Sequence, residues 1–209
     1  MPDRVAEPPF RPEEILAALE QHEVRYVLIG GLAATLRGSP YPTGDVDITP
    51  ASDRGNLGRL AAALRELEAK LRIEGREEPL DWPLDERSFD QGTTWTFTTR
   101  CGFVDVCMRP DGTQGFADLQ RDASAEPLTE TLTVWVASLA DVIRSKEAAG
   151  RDKDLRVLPA LRLAQERQER RAHGKAPGRR SRSRENRRTS RNEDRVDRAA
   201  AEDHSAASA

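Results

Sequence analysis

The chain has 209 residues, of which 33% are charged and 37% hydrophobic, with a formal net charge of -3 and a mean hydropathy of -0.70. That length accommodates one domain with a proper core plus an extension, and so low a hydropathy implies that part of the chain stays out of the core. No apolar run approaches the roughly 20 residues needed to cross a bilayer, and Asp3, Glu7 and Pro8-Pro9 lack the basic flank and apolar stretch of a secretion signal, so a cytoplasmic protein without membrane contact is expected.

In chain order, residues 1–12 are expected to be flexible. Pro12-Glu13-Glu14 opens a helix running through Leu19, with Ile15, Leu16 and Leu19 on one side. A strand follows over 26–30, then a short helix over 32–37, a Pro/Gly-rich loop and a strand over 45–49. Ser52-Asp53 starts a helix predicted to reach Leu71, with an apolar stripe of Leu57, Leu60, Ala61, Leu64 and Leu67. Residues 75–92, rich in Pro, Glu and Asp, read as a loop able to cover a site. Segments 93–99 and 103–108 make a hairpin around Arg100-Cys101-Gly102, and 131–136 is a further strand. Ser138-Leu139-Ala140-Asp141 is a capping box with Asp in the third place, opening a helix, and a last helix spans about 152–168. The fold class is therefore α/β (α+β): a small mixed sheet with helices packed on one side, then C-terminal helices and a basic tail. The core is expected over 13–137, a helical segment completing a pocket over 138–168, and a disordered Arg-rich tail over 169–209.

Chemistry concentrates at three carboxylates. The apolar run Tyr26-Val27-Leu28-Ile29 ends in Gly30-Gly31, a strand turning sharply into a helix whose exposed N–H groups can meet phosphate. In Asp45-Val46-Asp47-Ile48 the strand alternation puts both aspartates on one face and Val46 and Ile48 toward the core. Two carboxylates so spaced can hold a pair of divalent ions. Asp105, the one charge in Phe103-Val104-Asp105-Val106-Cys107-Met108, is costly to bury unless a cation or hydrogen-bond donors compensate it. Taken singly, Gly30-Gly31 is equally a tight turn, and Asp45 and Asp47 a solvated edge or helix caps. Cys101 and Cys107 have no zinc partner pattern, and His22, His173 and His204 are scattered, which argues against a His metal site or a hydrolytic triad.

Together these residues resemble the signature of the DNA polymerase beta-like nucleotidyltransferase superfamily. More narrowly, Gly38-Ser39-Pro40 followed by Thr43-Gly44-Asp45-Val46-Asp47, with Ser145-Lys146-Glu147-Ala148-Ala149-Gly150-Arg151 and Lys153-Asp154, is similar to the small bacterial enzymes grouped with AbiEii-type toxins. The resemblance covers about residues 13–165. It implies that Asp45 and Asp47 bind two Mg2+ ions and that Asp105 ligates one of them and helps deprotonate the attacking hydroxyl. It also implies that Gly30 and Gly31 lie against the triphosphate of an NTP substrate, and that Lys146, Arg151 and Lys153 bind the nucleotide, with Asp154 in the same region. A solvated helix face with ion pairs is the bland reading of those cations. Two departures stand out, since many relatives carry Ser at the position of Gly31 and Arg near Tyr41.

From Arg170 to Arg191 ten basic residues face one acid, Glu185, a window of +9 that leaves -12 for the rest of the chain. Such a block is drawn to polyanions, and with no aromatic among the arginines it offers no stacking platform for sequence readout; a solvated tail is the alternative. The expected function is transfer of a nucleoside monophosphate from an NTP to an acceptor hydroxyl, with RNA recruited through residues 170–198; the resemblance implies that this RNA is of tRNA type. The resemblance adds a toxin role beside an antitoxin partner. The alternatives are an antibiotic- or protein-modifying transferase and a catalytically inactive binding module.

Overall fold

A computed structural model describes residues 8–174. Helix α1 (Pro12–Gln21) begins with proline, whose missing N–H costs nothing in a first turn, and buries Ile15, Leu16, Ala18 and Leu19. Strand β1 (Tyr26–Ile29) is buried at all four positions. Helix α2 (Gly30–Leu36) follows with no intervening loop, and β2 (Asp45–Pro50) returns antiparallel to β1, pairing Leu28 with Ile48 and Ile29 with Asp47. Helix α3 (Arg54–Glu66) is capped by Asp53, whose carboxylate accepts from the Asn56 amide, and packs against α1.

Next come β3 (Lys70–Arg72), β4 (Thr94–Thr99) and β5 (Gly102–Cys107), with β4 and β5 forming the expected hairpin. Helix α4 (Phe116–Gln120) and strands β6 (Ser124–Pro127) and β7 (Thr133–Val136) lead to α5 (Leu139–Ala149) and α6 (Asp152–Gly174). The sheet is seven-stranded in the order β3-β4-β5-β2-β1-β7-β6, with β2–β5 and β1–β7 parallel and the other pairs antiparallel. This is the mixed sheet with helices expected from sequence. Val46 and Ile48 sit opposite Val104 and Val106, which sit opposite Phe97 and Trp95, so one face of the central strands is wholly apolar and buried. The alternate face carries Asp45, Asp47 and Asp105.

Several expectations need correction. The helix expected to reach Leu71 stops at Glu66: Glu68 takes a left-handed φ of 56°, and the chain re-emerges as edge strand β3. Residues 75–92 do not cover the acidic face. Leu80 bridges to Leu71, Leu84 and Phe89 are buried, and Phe89 stands edge-on to Trp95 with centroids 5.3 Å apart, so two apolar anchors fold this polar loop back onto the core. Short elements α4 and β6 went unforeseen, and α6 runs six residues past Gln168, into the stretch assigned to the tail. Of the flexible stretch expected over 1–12, residues 1–7 fall outside the described residues; Phe10 packs against the core, and the Arg11 amide donates to the Cys101 carbonyl at 2.8 Å. The Arg-rich tail beyond 174 also lies outside the described residues. Among the described residues no helix is long and apolar enough to cross a membrane.

Candidate active site

The parallel pairing of β2 with β5 sets Asp47 directly beside Asp105, and Asp45 one step along the same face. One carboxylate oxygen from each of the three lies within 4.8 Å of the others. Like charges so close, half-buried, resist ionisation. Burial raises the pKa of Asp47, the charges of Asp45 and Asp105 raise it further, and the Gly31 amide and Lys146 only partly offset this, leaving it at about 7. Burial also raises Asp105; a hydrogen bond from Thr96, its neighbour across the β4–β5 ladder, relieves part of that, and the charge of Asp45 adds to it. Asp105 Oδ1 is buried with no hydrogen-bond partner. Three converging carboxylates, two of them held above their ordinary range and one with an orphaned oxygen, fit divalent cations: hard oxygen donors are what Mg2+ takes.

Gly30 and Gly31 open α2 directly beneath the aspartates. Gly30 adopts φ 69°, and a Cβ there would stand 2.0 Å from Asp47 Oδ2, so only glycine admits the carboxylate. The Gly31 amide donates to that same oxygen at 3.2 Å. At the C-terminal end of α2, the capping residue Arg37 is held by the carbonyls of Val136 and Ala137, by Ser124 and by Glu126, which bolts the helix to β6 and β7.

Of the predicted cations, Lys146 on α5, Arg151 just before α6 and Lys153 in its first turn all line the same cleft, of about 320 Å3, as the glycines and the three aspartates. Lys146 and Arg151 are not free. Lys146 Nζ donates to Asp154 Oδ1 at 2.9 Å and Arg151 Nε to Asp154 Oδ2 at 2.6 Å. Burial pushes Asp154 up, but the bonds from Lys146 and Arg151 outweigh it and its pKa is lowered overall. Lys153 is exposed, and its charge is felt at Asp105. Helix α5 reaches this position because the Ser138 cap forms as expected, its hydroxyl accepting from the Asp141 amide at 3.1 Å, and because α5 packs on α2.

Sequence reasoning did not assign a role to Thr43, Thr96 or Asp154. The signal for Asp154 was present in the i,i+3 spacing from Arg151. Thr43 stands two residues before Asp45, a spacing at which a side-chain bond is local; Thr96 gave no signal, since its neighbour Asp105 is supplied by the β4–β5 pairing. Tyr41 also lines the cleft.

No protein-family model matches the chain, nor does any curated protein sequence. Solved structures do resemble it. The lincosamide antibiotic adenylyltransferase LnuA, in its lincomycin-bound structure, aligns over 74% of this chain and 98% of its own with a TM-score of 0.50 at 14% identity. The fold is nucleotidyltransferase-like. The antibiotic-resistance factor ANT(2'')-Ia aligns over 78% of this chain and 95% of its own, at 17% identity and a TM-score of 0.41.

Proposed function

We propose that the protein is a magnesium-dependent nucleotidyltransferase that moves a nucleoside monophosphate from an NTP to an acceptor hydroxyl. The observation that carries this reading is the convergence of Asp45, Asp47 and Asp105 across β2 and β5, beside the glycine turn into α2. Asp45, Asp47 and Asp105 would hold two Mg2+ ions, which supply positive charge against the triphosphate and against the charge that develops in transfer. The side chains of the cleft do the rest. Gly30 and Gly31 would lie against the triphosphate, and Lys146, Arg151 and Lys153, which line the same cleft, offer cations for the departing pyrophosphate. Asp105, raised above its ordinary range, accepts the proton of the acceptor hydroxyl. The hydroxyl oxygen bonds to the α-phosphorus as the bond to the β-phosphate oxygen breaks, and pyrophosphate leaves.

For the acceptor we favour RNA, on the +9 charge of residues 170–191. A toxin role with an antitoxin partner rests on the motif resemblance alone. A small hydroxylated acceptor, such as the antibiotic that the name of LnuA announces for that protein, is the second reading; the likeness in fold favours it, at 14% identity. The test is a thermal-shift titration followed by a labelling assay. An active site should be stabilised by NTP only with Mg2+ present, by RT ln(1 + [L]/Kd), and should then transfer α-labelled phosphate to added RNA. Stabilisation without transfer to RNA or to a hydroxylated antibiotic would favour a binding module; no magnesium-dependent stabilisation at all would overturn the proposal.

A further inference from the structure

Each glycine at the start of α2 makes room for one side chain of the acidic face. Gly30 admits Asp47, as described. Gly31 admits Thr43, because a Cβ at Gly31 would stand 2.3 Å from Thr43 Oγ1 and 2.7 Å from Thr43 Cβ. Thr43 in turn donates its hydroxyl to Asp45 Oδ1 at 2.5 Å, a short charge-assisted bond. The loop that presents it is fastened to the same helix: the Ser39 amide donates to the Ala34 carbonyl at 2.9 Å, and Thr35 Oγ1 donates to the Tyr41 carbonyl at 3.1 Å.

We infer that Thr43 is the positioning residue of the metal site, its hydroxyl holding one oxygen of Asp45 and so turning the other toward the cation, in space that the missing side chain of Gly31 provides. This deepens the reading of the acidic face as a divalent-metal site and rests on it. The bond length supports a specific role, since a carboxylate with one oxygen occupied by a fixed donor keeps a single orientation. Partners of this kind, once removed, typically cost 10–100-fold in metal affinity. The arrangement also accounts for glycine at position 31: a Cβ there cannot coexist with Thr43 in this place.

The experiment is Mn2+ binding to the full chain without nucleotide, followed by electron spin resonance, with the melting temperature recorded for each variant. Thr43→Val keeps the shape and removes the donor, so its Kd for Mn2+ should rise 10–100-fold with little change in melting. Thr43→Ser retains the hydroxyl and should bind within about threefold of wild type. Thr43→Gly should bind as poorly as Thr43→Val. Adding Gly31→Ser to it should recover at least tenfold, because a serine hydroxyl one bond from that Cβ reaches the place Thr43 Oγ1 vacates. Binding by Thr43→Val within threefold of wild type, with wild type itself binding Mn2+, would overturn this inference and leave the proposed function standing. Loss in Thr43→Ser equal to that in Thr43→Val would overturn it too. Failure of the wild-type chain to bind Mn2+ would overturn both.

Discussion

Asp45, Asp47 and Asp105 are close enough that the charges of Asp45 and Asp105 both raise the pKa of Asp47, and the charge of Asp45 raises that of Asp105 too. Removing one should therefore relieve repulsion: Asp45→Ala or Asp47→Ala is expected to melt at least as high as wild type while losing nucleotide transfer, as differential scanning calorimetry and a labelling assay would show. Asp47 also predicts a pH dependence. Its pKa is near 7 in the folded chain and about 3.9 unfolded, so between those values the native state binds more protons. The contribution to stability is full below about pH 4 and is lost as pH rises through 7. Melting of the metal-free protein should fall from pH 5 to 8 more steeply in wild type than in Asp47→Asn, and added Mg2+ should flatten the difference. At Asp105, substitution by Asn keeps the shape and removes the proton acceptor. Its rate is expected to fall far more than its triphosphate affinity, read as kcat against the Kd for NTP, whereas equal losses would make Asp105 a metal anchor only.

The junction of α5 and α6 is organised by Asp154, which is 1% exposed and joined to Lys146 of α5 and to Arg151 in the connection between the helices. Breaking a buried pair leaves its partner uncompensated, and because Arg151 is largely solvated the lower end of the usual range applies, about 3 kcal/mol for Asp154→Ala in denaturant unfolding. With Lys146 released, triphosphate binding should weaken as well. The loop over 75–92 offers the opposite case. Phe89 is 5% exposed in the core and lies away from the cleft-lining residues, so Phe89→Ala should cost about 3 kcal/mol or more while the folded fraction keeps wild-type kcat. A loop closing over the cleft would instead show a changed KM.

Across the full chain, residues 1–169 carry a formal net charge of -9 and residues 170–191 one of +9. Ending the chain after Gly174, where α6 ends, should weaken RNA binding and flatten its dependence on salt, while leaving NTP-dependent stabilisation unchanged. Identical salt curves for the two chains would remove the main reason to prefer RNA over a small acceptor.

The three aspartates, the glycine turn, the β4–β5 hairpin and the Ser138 cap could be read from the amino-acid order because each depends on local periodicity or on a spacing of a few residues. Alternation alone placed Asp45 and Asp47 on one face. That Asp105 joins them follows from β2 lying parallel to β5, a pairing made across α3, β3 and β4 that no local pattern encodes. The same holds for the path of 75–92, where Leu84 and Phe89 found core positions that did not exist until α3 and β4 had packed. The Thr43–Asp45 and Arg151–Asp154 bonds span only two and three residues and belong to local spacing, whereas the bond from Lys146 to Asp154 exists only because α5 folds back against α6.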